Sequence, residues 1–483
     1  MDNKRPRARQ KNVTSGSKGV HRRGSGLGTG PVGSGKVSSG RTGGSGSMKR
    51  AAVGGGIGLP AIIAIAFAVI KMFGGGGNGV SQQQQDFIQN NNSFTGEDFS
   101  SNSTPVDNSV AKGSREKYTN VLGNNKDSVT VMIYICGTDL ESKHGMASSD
   151  IQEMAAAKFG DNVNVILYTG GCKQWKINGI SNKVHQIYQI KDGELIRLES
   201  DMGKSAMTDP ENLTEFIKYC KKNFPANRNN LIMWDHGGGS VSGYGYDETN
   251  AFGGSMDLAE IDKALTNAGV KFDFIGFDAC LMATAETALM LNDHADYMIA
   301  SEETEPGIGW YYTNWLSKLG SNTSMPTVEI GKNIIDDFVD TCAKKCRGQK
   351  TTLSIIDLAE FSNTVPDKLN SFAQSISTKL TNKEYKEVSD ARYTTREFAV
   401  SSKIDQVDLA HLALNMDNSE GKALSNAIQN AVKYNRTSSD INNAYGVSIY
   451  FPYRKTSSVD TACSTYNKIG MDSEYSQCIK QFA

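Results

Sequence analysis

The chain has 483 residues, room for more than one domain and a large core. Its net charge of −1 hides an asymmetry: residues 1–50 hold twelve Lys/Arg against the single acid Asp2, a net of +11, so the remainder carries −12. An acidic globular part argues against nucleic acid as a ligand and suits cationic substrates, and eight cysteines without a CxxC pair argue against a disulfide scaffold and a zinc site.

Residues 1–48 are Gly, Ser, Arg and Lys with almost nothing apolar, so they cannot bury enough surface to fold. They read as a basic, disordered cytoplasmic tail attracted to anionic lipid. Residues 49–73 read as a membrane anchor. Ala51–Ile70 carries no charge, and a helix of about 20 residues spans a hydrocarbon core of about 30 Å. A cleaved signal peptide is the alternative, since Ala66-Phe67-Ala68 resembles a cleavage site, but the stretch before it is far too long. Lys49, Arg50 and the tail place the N-terminus inside and everything after Lys71 outside the cell. Residues 74–127, running from GGGG through QQQQ into Asn/Ser-rich sequence, read as a flexible linker.

A catalytic core is expected over 128–320. Val129–Cys136 reads as a buried strand, followed by a helix near Ser149–Phe159 and a strand at Asn164–Thr169. Residues 173–200 alternate polar and apolar around Asn178-Gly179 and Asp192-Gly193, a small antiparallel excursion. Pro210–Phe224 is an amphipathic helix capped by Asp209. Then come the run Leu231–Gly239 (LIMWDHGGG), a helix at Leu258–Ala268, the run Phe274–Met282 (FIGFDACLM), a helix at Ala283–Asp293 and a strand at Tyr297–Ala300. Strands alternating with helices predict an α/β fold, a mostly parallel sheet with helices on both faces. Residues 321–483 add helices at Val328–Cys346, Pro366–Leu380 and Lys422–Tyr434 and strands at Thr352–Ile356 and Gly446–Phe451. They are expected to extend the same sheet or pack on the core. Cys342 and Cys346 read as buried packing residues.

Two strand ends carry the chemistry. His236 ends one apolar run and precedes three glycines, which let a backbone approach a ligand closely. Cys280 ends the other, two residues after Asp278 and just before a helix, whose N-terminus would favour a thiolate. The 44 residues between them fit one loop, one helix and one strand. That right-handed crossover sets both strand ends side by side, where a histidine and a cysteine act as acid/base and nucleophile. Asp235 points to the opposite face of its strand and is not assigned a catalytic part. Asp139 and Glu141 could order the rim of the site.

WDHGGG, GYGYDET, IGFDACLMA and ASEETEPGIGW, together with VMIYICGTDLES and GVSIYFPY, closely resemble the clostripain-like cysteine peptidases over most of residues 128–455. The resemblance implies a caspase-like α/β/α sandwich and cleavage after Arg, sometimes Lys. It also implies a His236/Cys280 dyad, with the Gly237 and Cys280 amides as oxyanion donors. Asp278 matches the acid of the DAC motif and is the expected partner of a substrate guanidinium; its alternative is a cap on the Ala283 helix. For Glu302, Glu303 and Glu305 three readings stand: pocket lining, a calcium site, or a solvated surface. No cofactor is needed for the chemistry, and calcium dependence occurs in some members. Residues 237–262 hold no Lys or Arg, so the self-cleavage of some relatives between histidine and cysteine is not expected here. The sequence thus points to a membrane-anchored, outward-facing endopeptidase acting on Arg/Lys peptides and proteins. The competing readings are the same fold with Asn or Asp before the cut, and a catalytically silent tethered binding module.

Overall fold

The computed structural model describes residues 101–483. The basic tail, the apolar segment and the linker up to residue 100 lie outside the described residues. Among the described residues no helix is long and apolar enough to cross a membrane.

The strands in chain order are β1 (Ser101–Ser103), β2 (Val129–Cys136), β3 (Val163–Gly170), β4 (Gln186–Lys191), β5 (Glu194–Glu199), β6 (Arg228–Trp234), β7 (Phe272–Asp278), β8 (Ala295–Ala300), β9 (Thr352–Asp357), β10 (Gln406–Asp408), β11 (Val432–Ser438) and β12 (Ser448–Tyr450). Ten of them form one sheet in the order β1-β11-β9-β8-β7-β6-β2-β3-β4-β5, and β10 pairs β12 apart from it. The five central strands, β3, β2, β6, β7 and β8, are mutually parallel, while both flanks are antiparallel. Parallel strands buried on both faces read as continuous apolar runs, which is why VTVMIYIC is legible. Alternate side chains enter two cores. Met132, Tyr134 and Cys136 face the helices Pro210–Asn223, Leu258–Ala268 and Ala285–Leu291. Val131, Ile133 and Ile135 face Met146–Ala156, Tyr312–Ser321 and Thr327–Lys345.

Local chemistry sets many of the boundaries. Asp209 caps Pro210–Asn223 by accepting from Glu211 N, with Pro210 at the first helical position. Asp257 and Glu260 form a capping box on Leu258–Ala268, which ends at left-handed Gly269. Asp192 and Gly193, both at positive φ, turn β4 into β5. Cys342 and Cys346 are buried as packing residues.

Three expectations change. The helix expected to run to Tyr434 stops at Ala431, and Val432–Ser438 is strand β11; the sheet edge there recruits a β-branched, half-polar segment that helical periodicity alone would absorb. The run at 446–451 joins β10 rather than the main sheet. The linker expected to reach residue 127 is not loose over 101–127. Ser101–Ser103 pairs antiparallel with β11. Arg115 bonds Asp296 at 2.8 Å and the carbonyls of Asn292 and Ala295, and Lys117 bonds Asp357 at 2.5 Å. The buried Lys433 amine donates to Ser109 O at 2.8 Å.

Candidate active site

β6 and β7 are paired in register, with Trp234 opposite Asp278. Two residues beyond each lie His236 and Cys280, so the register carries both side chains to one edge of the sheet. The approach of the two turns is tight enough to need glycine: a Cβ on Gly237 would fall 2.0 Å from Cys280 O. The turn after Cys280 holds Leu281 at φ +70°, a conformation a branched residue adopts only when its surroundings enforce it. Leu281 N donates to Glu303 O at 3.1 Å and Ala283 N to Ser301 O at 2.9 Å. Gln406, from the C-terminal extension, donates through Nε2 to Leu281 O at 2.9 Å, and its Oε1 fills the space a Cβ on Gly239 would need. One side chain thus stitches the histidine turn to the cysteine turn.

The His236 ring is fixed from two sides. Nε2 lies 3.0 Å from Asp139 Oδ1, and the ring stacks on Tyr246 at 5.4 Å with a 12° interplanar angle. Tyr246 Oη donates to the same Asp139 oxygen at 2.6 Å, and Lys143 reaches Asp139 Oδ2 at 3.2 Å. Burial raises the Asp139 pKa, but the hydrogen bonds and charge of these partners outweigh it and hold the carboxyl well below the usual range. Burial pulls His236 down, yet Asp139, then Asp235, push it above its ordinary value. Asp235 turns away as expected: it accepts from Tyr246 N at 2.9 Å, and burial lifts it to about 7. Glu141 accepts from Ser148 and from Lys176 N and so pins the neighbouring loop.

Cys280 differs from expectation. The helix begins at Ala285 behind the Thr284 cap, so the thiol is not at a helix N-terminus. Burial, then the nearby Glu305 carboxylate, push it well above the usual thiol range. Glu305 N donates to Sγ at 3.2 Å. Beside it lies a cavity of about 30 Å³, lined among others by Asp278, His236, Cys280, Glu305 and Gly309. That volume admits water but not an Arg side chain.

Asp278 is buried and accepts from Tyr312 Oη at 2.8 Å and from Trp310 N at 3.2 Å. Burial lifts it to about 6, against those hydrogen bonds. It does not cap the following helix; Thr284 does. Of the three glutamates only Glu305 reaches this cavity, and neither of its carboxylate oxygens meets a hydrogen-bond geometry among the described residues. Glu302 instead accepts from Gly446 N at 2.9 Å and lies against Asp408. Glu303 accepts from Ala399 N at 2.9 Å. All three are buried, so the solvated-surface reading does not hold. Among the described residues no group of three or more His, Cys, Asp or Glu side chains is placed to hold a metal ion.

A histidine oriented by a buried carboxylate, beside a cysteine at the carboxyl edge of a parallel sheet, is a layout suited to thiol-based acyl transfer. The family model for the clostripain family of C11 peptidases matches residues 133–479. The chain belongs to that family. It is 29% identical to clostripain of Hathewaya histolytica over 229 residues, which span 41% of this chain and 43% of clostripain. An inactive zymogen C11 protease from Parabacteroides distasonis superposes with a TM-score of 0.53 at 20% identity, over 71% of this chain and 99% of that one. A secreted C11 cysteine protease from Bacteroides thetaiotaomicron, solved with an irreversible peptide inhibitor, gives 0.51 at 20% identity, over 72% and 100%. At that identity the two structures establish a shared α/β architecture with a mostly parallel central sheet.

Proposed function

We propose that this protein is a cysteine endopeptidase that cleaves after Arg or Lys. Cys280 Sγ attacks the scissile carbonyl, and His236 carries the thiol proton to the leaving amine and later activates water. Asp139 and Tyr246 commit Nε2 and the ring plane, which leaves Nδ1 for proton transfer. The Gly237 and Cys280 amides serve as the oxyanion donors. Asp278 and Glu305 receive the substrate cation. The observation that carries this reading is the close approach of the Gly237 and Cys280 backbones, which makes histidine and cysteine neighbours. Cys280 is buried at rest, so the segments that cover it move aside when substrate enters.

Fluorogenic peptides ending in Arg, Lys, Asn and Asp, with and without a chelator, test specificity and calcium need together. Arg and Lys peptides turn over fastest; faster cleavage after Asn or Asp would remove the acidic-pocket assignment. The uncharged run 51–70 anchors the chain and the catalytic domain faces outward. Protease shaving of intact cells that spares residues 128–483 would overturn that orientation.

A further inference from the structure

A second cavity, of about 660 Å³, lies where residues 102–107, β11 and the loop 441–445 meet. Small-molecule sites span about 300–1,000 Å³. Its walls are fixed from behind. Thr104 N donates to Asn435 O and Asp107 N to Lys433 O, each at 2.9 Å. Arg396 Nε donates to Asn442 O at 2.7 Å, and Asn102 Nδ2 to Ile441 O at 2.9 Å, which ties the two walls together. Five carboxamides line the space: Asn102, Gln429, Asn435, Asn442 and Asn443. Each carries a donor and an acceptor side by side. Asn435 is 4% exposed. Its Nδ2 donates to Ala444 O at 3.0 Å, while its buried Oδ1 has no partner among the described residues. A buried acceptor is costly to leave unpaired, and a donor on a ligand would pair it. The Asn442 and Asn443 side chains are exposed and make no hydrogen bond among the described residues. Tyr445, half-buried, adds an aromatic ring to the lining. Asp107 is the single charged lining residue. It is already engaged, accepting from Ser109 N at 2.8 Å and lying 3.6 Å from the Lys433 amine.

We infer that this cavity binds a neutral saccharide. Carboxamides match adjacent sugar hydroxyls, which also both donate and accept. An aromatic ring face suits the C–H face of a pyranose. With no uncommitted charge in the lining, a charged ligand would find no counter-ion. A peptide joining as a strand would need a row of free backbone groups, and those that face each other across 104–107 and β11 are already paired. The inference does not rest on the peptidase reading.

The test titrates the full chain calorimetrically with neutral oligomers of glucose, mannose, galactose and N-acetylglucosamine. At least one binds, and about 0.5 M salt leaves its affinity unchanged, because no ion pair is involved. Asn442→Ala weakens binding about tenfold or more, and Tyr445→Ala does the same, while Tyr445→Phe keeps it. Asn442→Ala retains the wild-type urea midpoint and hydrolysis of an Arg-ending peptide, which separates a lost contact from misfolding. A glycoprotein that binds less tightly after deglycosylation assigns the sugar to protein-borne glycans; equal binding of both forms assigns it to free saccharide. No binding of any neutral oligomer, or binding that Asn442→Ala leaves intact, overturns the inference. So does an unglycosylated peptide that binds in place of the sugars and loses affinity in Asn442→Ala.

Discussion

At the scale of single residues, the proposed mechanism divides the site into groups that react and groups that hold them. Cys280→Ala should lower kcat/KM by about 10³-fold or more, read with an Arg-ending peptide. Asp139→Asn should lower kcat by about 10–10²-fold with little change in KM, because it loosens a ring rather than removing a reactant. It should also move the acid limb of the rate profile to lower pH, since the carboxylate that lifts the His236 pKa is gone and the ring must be neutral to accept the thiol proton. A purely structural loss would scale the whole profile without shifting it. The placement of His236, Cys280 and Asp278 at one sheet edge was legible in the sequence because each ends or follows an apolar run whose direction is set by the sheet. Asp139 was visible only as a rim residue and Tyr246 not at all. Their roles depend on how the short helix Thr138–His144 and the loop carrying Tyr246, about a hundred residues apart in the chain, meet at one ring, and no periodicity encodes that.

Among the elements, β6 and β7 must keep their register for His236 and Cys280 to meet. A buried ion pair fixes its far end: Arg228 donates to Asp273 at 2.6 and 2.8 Å, and to the Thr323 and Met325 carbonyls at 2.7 Å each. Arg228→Ala would strand a buried carboxylate and cost about 3–5 kcal/mol, measured by urea unfolding. At the opposite end, Gln406→Ala removes the stitch between the two catalytic turns. It should reduce kcat about tenfold and, because Nε2 also donates to Ser448 Oγ at 2.8 Å, cost about 2–3 kcal/mol by urea unfolding. The buried parallel strands were readable from their apolar runs, and the helix Pro210–Asn223 from its Asp-Pro start. β11 was not, because its polar side chains (Lys433, Asn435, Arg436) are satisfied by distant partners rather than by alternation. Lys433 pairs with Glu360, and Arg436 with Asp336 and Asp340.

Over the whole molecule, buried carboxyls give stability an acid bias. Burial lifts Asp278 to about 6, and Asp235, Glu153 and Asp408 to about 7; unfolded, each would titrate near 4. Between those values the native state holds more protons than the unfolded state, so stability falls as pH rises from about 4 to 7. His236, also raised, contributes stability that is complete below about 6.5 and lost as pH passes its folded pKa. Both act in the same direction, so the thermal midpoint should be higher at pH 5 than at pH 8; the reverse order would contradict the burial of these groups. The segment 101–127 enters the same account. Arg115→Ala leaves Asp296 buried without its cation and should cost about 1–3 kcal/mol by thermal or urea unfolding.

That segment also decides how the molecule bears load. Tension arriving from upstream of Ser101 meets first a ladder of three residues at the sheet margin, then the Arg115 and Lys117 clamps. β6 and β7 lie further across the sheet, beyond β11, β9 and β8. The short ladder is thus a mechanical fuse: it peels before a pull reaches the strands that align His236 with Cys280.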